Sequence, residues 1–138
     1  MNAKIQNMLS NLDLQSPVKE SDLLKFEQES RIILPNEYKR FLKVSNGGEG
    51  FIGENSYVIF WSINDLLKFN KAYNVYEYAP GLLLIGSDGG GEAYAFDTHS
   101  KSMEIVKVPF VGMSIELIEV LAPNFDVFIE KLNEMKDD

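Results

Sequence analysis

The chain has 138 residues, a net charge of −8, a pI near 4.7 and no cysteine. Its length suits one domain with its own core, and 45% hydrophobic residues is too apolar for disorder. The missing cysteine excludes disulfides, thiolate metal sites and cysteine nucleophiles; the acidity disfavours nucleic acid and anionic membranes, whose phosphates require clustered Lys and Arg.

Ile5, Met8, Leu9 and Leu12 recur at helical spacing and predict a short first helix, broken at Ser16-Pro17. Ser21 is placed to cap a second helix carrying Leu23 and Phe26. Pro35 suits the first turn of a third, where its missing N–H costs nothing. Tyr38, Phe41, Leu42 and Ser45 share one face of it, and Asn46-Gly47-Gly48 ends it. Phe51-Ile52 and Tyr57 to Trp61 predict two strands about the turn Gly53-Glu54-Asn55-Ser56. Ser62 or Asn64 caps a helix running to Asn70, and a tyrosine-rich loop follows to Tyr78. Ala79-Pro80-Gly81 precedes a strand at Leu82 to Ile85, which Ala93 to Phe96 pairs with across a glycine turn. A second turn, Asp97 to Ser102, feeds a strand from Met103 to Val108. Residues 114–121 fit neither period. Asn124 caps a last helix with the stripe Phe125, Phe128, Ile129, Leu132 and Met135.

Helices first, strands through short turns in the middle and a closing helix predict an α+β fold. The expectation is one domain over residues 1–138, with 1–20 a helical extension and the core from about 21 to 136. Its centre is an antiparallel or mixed sheet, with the N-terminal helices and the C-terminal helix packed on it. No signal peptide, spanning segment or repeat is legible, which fits a cytoplasmic protein.

Little in the chain suggests chemistry. Gly86-Ser87-Asp88-Gly89-Gly90-Gly91 misses the spacing of phosphate loops and leads into a strand, so it reads as a turn in which the glycines take positive φ. On that reading Gly90→Ala costs about 1 kcal/mol. Asp88, Glu92 and Asp97 are too few and too badly spaced for calcium. His99, the single histidine, sits in a turn with no second His or Cys to share a metal. Trp61, at a strand end, is either core or an anchor for a partner. No catalytic, cofactor or metal residue is assigned. Glu37, Glu49, Glu54, Asp65, Glu77 and Asp88 fall on turns and helix starts, and any that share a face form an acidic patch.

Leu23-Leu24-Lys25-Phe26-Glu27, Leu34-Pro35 to Phe41-Leu42, Asn46-Gly47-Gly48, Trp61 with Ile63 to Leu67, Ile85 to Glu92, Tyr94-Ala95-Phe96-Asp97 and Phe125 to Leu132 follow one another in an order that resembles the SUKH superfamily. That superfamily contains bacterial toxin-immunity proteins and fungal cell-wall-synthesis regulators. The resemblance spans about Ser21 to Leu132; Ser30 departs from it, standing where an apolar residue is expected. It implies a binding module without shared catalytic residues, and an immunity protein that masks a toxin, often a nuclease. A regulatory or scaffold module is the alternative, and a small-ligand binder a weaker one. With the net charge of −8, the resemblance points to a basic toxin domain held by Glu49, Glu54 and Asp88, with an apolar surface at Tyr73, Tyr76 and Tyr78 as the competing face.

Overall fold

The computed structural model describes residues 1–136. Along the chain run α1 (Ala3–Met8), β1 (Asp13–Leu14), α2 (Glu20–Ser30), α3 (Asn36–Val44), β2 (Gly48–Ile52) and β3 (Ser56–Phe60). There follow α4 (Ile63–Ala72), α5 (Val75–Tyr78), β4 (Leu82–Ser87), β5 (Glu92–Asp97), β6 (Ile105–Pro109), β7 (Glu119–Ala122) and α6 (Phe125–Glu134). The strands form a seven-stranded sheet whose spatial order follows the chain, each strand antiparallel to the next. The ambiguous 114–121 stretch splits into a 3-10 turn at Ile115–Leu117 and the start of β7, which explains why neither period fits it.

One face of the sheet carries the main core. Val58, Phe60, Leu83, Ile85, Tyr94, Phe96 and Ile105 lie there against Tyr38, Phe41 and Leu42 of α3 and Phe125, Phe128, Ile129 and Leu132 of α6. Ile5, Leu9 and Leu12 near the N-terminus join the same cluster. Its centre is aromatic: Tyr38 stands 5.2 Å from Phe96 and 5.4 Å from Phe125, and Phe41 stands 5.3 Å from Phe60, at the tilted angles that ring quadrupoles favour. The second face is covered over its middle strands only. Leu82 and Leu84 of β4, Ala93 and Ala95 of β5 and Val106 and Val108 of β6 meet Val75 and Ala79 of the α5 segment, and Met113. β4 is therefore buried on both sides, the physical reason its sequence is an unbroken apolar run.

Between β3 and β4 lies a seam. The two strands pair only at Ile59 with Ser87 and Phe60 with Gly86, and β4 is irregular between Leu84 and Gly86. Asn70 of α4 completes it: its amide oxygen accepts from Leu84 N–H at 2.8 Å, and its amide nitrogen donates to Leu84 C=O at 2.9 Å and Leu66 C=O at 2.8 Å. A side-chain amide thus stands where a neighbouring strand would. At Gly86 the strands approach so closely that a Cβ would lie 2.1 Å from the Ile59 carbonyl oxygen.

Several local expectations are corrected. Ser21 lies inside α2, whose N-cap is Lys19, and Pro35 occupies the N-cap of α3 rather than its first turn. Ser62 is the N-cap of α4, yet the capping bond comes from Asn46 Oδ1, which accepts from Ile63 N–H at 2.8 Å. The tyrosine-rich stretch is not a loop: it holds the end of α4 and all of α5, joined at Asn74 in the left-handed region. In the glycine turn only Gly89 has positive φ, at 80°; Gly86, Gly90 and Gly91 do not. Asn124 caps α6 as expected, accepting from Val127 N–H at 2.9 Å.

Candidate functional site: the open end of the second sheet face

Strand alternation sends Ser56, Val58 and Phe60 into the core and turns Tyr57 and Ile59 to the second face, where β2 presents Glu49 and Phe51. Register aligns them. Asp13 of β1 lies opposite Glu49, Glu49 opposite Ile59, and Phe51 opposite Tyr57. The Phe51 and Tyr57 rings meet edge to face at 5.2 Å, yet Phe51 remains 48% exposed. The Tyr57 hydroxyl donates to Glu49 Oε2, and this bond to a carboxylate raises the phenol above its ordinary value. Gly89 packs its turn on the Tyr57 ring, where a Cβ would come within 2.8 Å.

Trp61 continues the line beyond β3, its N–H donating to Ile85 C=O at 3.0 Å. The indole lies 4.9 Å from Phe69 and is stacked on Tyr73 at 6.2 Å; Tyr73 in turn meets Phe110 at 4.7 Å. Trp61 is thus both half-buried core and the wall of an open cleft of about 580 Å³. The cleft is floored by Ile59 and the β2–β3 backbone and bordered by Asp13, Asp22, Glu49 and Asp65, with Lys19 the one cationic side chain on its lining among the described residues. Among the described residues none of those four carboxylates is in an ion pair. Asp65 accepts a 3.2 Å bond from the Ser62 hydroxyl.

The six residues singled out in the sequence do not form one patch. Glu49 stands in the cleft beside Asp13. Asp88 builds its own turn, its Oδ1 accepting from Gly90 N–H at 2.8 Å and Glu92 N–H at 3.2 Å. Glu54 lines a different hollow with Lys4, Asn7 and Asn133. Tyr73 joins the aromatic row, whereas Tyr76 and Tyr78 on α5 are 91% and 51% exposed. Sequence reasoning missed Asp13, because a two-residue strand has no period to read, and it missed Phe51 and Tyr57 as a facing pair, because register is set by the turn between them. His99 is exposed, and the Asp97 carboxylate accepts from its backbone N–H rather than its ring. Among the described residues no three His, Asp or Glu side chains gather as metal ligands.

The arrangement is an α+β domain with a half-covered sheet and an acid-bordered cleft at its open end. The sequence profile of the SMI1/KNR4 family (SUKH-1) matches residues 17–131, and the chain belongs to that family. It is also 27% identical over 121 residues to "Uncharacterized protein YnaB" of Bacillus subtilis (strain 168), an alignment covering 86% of this chain and 78% of that one. Family membership supports a protein-interaction role. Among the described residues no helix is long and apolar enough to cross a membrane.

Proposed function

We propose that this protein is an immunity protein that neutralises a cognate toxin by binding it, without catalysis of its own. What carries the reading is the open sheet end, where an acid-bordered cleft walled by half-buried Trp61 adjoins the exposed Phe51 beside Tyr57, in a chain of net charge −8 and SUKH-1 membership. Exposed aromatics supply contact area at low entropic cost, and unpaired carboxylates steer a cationic partner. The partner that fits is a basic toxin domain, nuclease domains being the natural class because they must themselves attract phosphates. Protection would be exerted in the cytoplasm. Glu49 is the one of these residues on the cleft lining; Asp88 lies beside it in the turn that packs on Tyr57, and Tyr73 behind Trp61, while Tyr76, Tyr78 and Glu54 are outlying candidates.

Co-expression with a candidate toxin domain, sought first in the genes beside this one, tests the proposal. Growth rescue together with co-elution of the two purified proteins is expected. Association should slow as salt rises, because opposite charges are screened over about 8 Å at physiological ionic strength. A toxin that kills regardless and forms no complex would overturn it.

A further inference from the structure

We propose that the open end of the second sheet face is a docking surface for an arginine side chain presented on an extended segment of a basic protein. This rests on the binding role above and names the chemistry of the contact.

The residues that face the cleft supply what a guanidinium requires. Asp13 and Glu49 are direct cross-strand partners, so their Cβ atoms stand roughly 4.5–5.5 Å apart on one face. Two carboxylates at that spacing repel, and neither is in an ion pair among the described residues. A planar fork of N–H donors bridges such a pair, whereas a lysine ammonium answers it only as a point charge. Glu49 is already held in place by the Tyr57 hydroxyl through Oε2, leaving Oε1 without a partner among the described residues. Trp61 borders the same cleft, its half-buried indole held by Tyr73 and Phe69, and places an aromatic ring within reach of a cation there. Phe51, at 48% exposure beside Tyr57, gives the flanking residues of the segment an apolar floor.

Charge decides between occupants. A second copy would bring another net charge of −8 to an acidic border, and nucleic acid would bring phosphates to it. A neutral apolar segment would strip water from Asp13 and Glu49 and give nothing back. A cationic segment relieves a repulsion that the free protein sustains.

The test uses the full chain in two arms. In the first, ¹⁵N-labelled protein is titrated with the peptide acetyl-Gly-Arg-Gly-amide and with its Lys and Leu counterparts. Expected are saturable shifts at the amides of Glu49 and Ile59 and at the Trp61 indole N–H, tighter for Arg than for Lys and absent for Leu. The double variant Asp13→Asn, Glu49→Gln, whose spectrum should otherwise keep its dispersion, should bind the arginine peptide about tenfold more weakly or worse. Equal response to the Leu peptide assigns the face to an apolar partner and overturns the proposal. So does movement of these resonances on simple dilution, which marks a second copy, and so does an unchanged response in the double variant. In the second arm the candidate toxin domain of the co-expression test is bound to wild type and double variant. Equal affinity for both defeats the arginine site and leaves immunity standing. A domain that ignores wild type, while the arginine peptide still saturates, defeats immunity and leaves the site standing.

Discussion

On the core face of the sheet, Val58 and Phe60 of β3 disappear beneath α3 and α6; on the other, Tyr57 and Ile59 of the same strand stay within reach of solvent. One alternating sequence therefore feeds two surfaces of opposite character. The core face is closed by interlocking rings and gives the domain its stability. The second face is closed over β4 to β6 and left open over β1 to β3, where aromatic and acidic residues are held in register without being buried. The proposed recognition role would divide stability and binding between the two sides of one sheet, and the comparison can be broken by perturbing each side and the seam between them.

The largest effect belongs to the closed face. Phe125 is fully buried and touches Tyr38, Phe41, Phe60 and Phe128, so Phe125→Ala removes a ring from the middle of the core and should cost about 3–5 kcal/mol by urea unfolding. Phe51→Ala on the open face should cost under roughly 1 kcal/mol, because the ring is already 48% exposed and its aromatic contact is the cross-strand one with Tyr57. Similar costs for the two would mean that the open face is structural after all.

The seam comes next. Gly86→Ala drives a methyl into the Ile59 carbonyl across strands that have no slack, and a loss of about 1–3 kcal/mol is expected. Gly90→Ala and Gly91→Ala should be close to neutral, since neither has positive φ and added carbons there meet nothing closer than 3.4 Å. Asn70→Ala strands the N–H and C=O of Leu84 at the point where β3 no longer reaches β4, at a cost on the order of 2 kcal/mol. Hydrogen exchange at Leu84 should accelerate in that variant even if the rest of the sheet stays protected.

Tyr38 gives a gain. Its hydroxyl is buried among rings with no partner among the described residues, and burial pushes the phenol well above its usual range. Tyr38→Phe should stabilise by about 1 kcal/mol at neutral pH, by removing an unpaired polar group. The folded state holds the neutral phenol, so wild-type stability is fully present below the ordinary tyrosine pKa of 10.0 and is lost as pH rises above it. The advantage of the Phe variant should therefore widen in alkali. A destabilised Phe variant would show that the hydroxyl has a partner.

The elements most legible in the sequence were those with a period and a punctuation mark: α3 with its stop at Asn46-Gly47-Gly48, α6 behind Asn124, and the β4–β5 hairpin. What was not legible depends on distance in the fold. Asn46 caps a helix 17 residues away, and Asn70 finishes a strand 14 residues on; neither leaves a local pattern. The glycine turn misled because a run of glycines looks like a demand for positive φ, whereas Gly86 is required by its neighbour strand and only Gly89 by its backbone. At the site Glu49 was legible as an exposed carboxylate, but its partner Asp13 was not, since a pairing between residues 36 apart is written in register rather than in composition.

The smallest effect tests the division of labour most sharply. Asp13 faces Glu49 across β1 and β2, and like charges directly opposite in an antiparallel pair destabilise it. Asp13→Asn should therefore stabilise the free protein, by about 0.2–1 kcal/mol in urea unfolding at low salt, and the gain should fade at high salt as screening removes the repulsion. The same substitution should slow association with a basic partner, because it takes away part of the field that draws the partner in. Opposite signs in the two measurements are what a recognition surface predicts: the repulsion is tolerated in the free chain because a cation relieves it in the complex. If Asp13→Asn instead lowers stability, the carboxylate is holding the edge strand in place, and the open face belongs with the closed one.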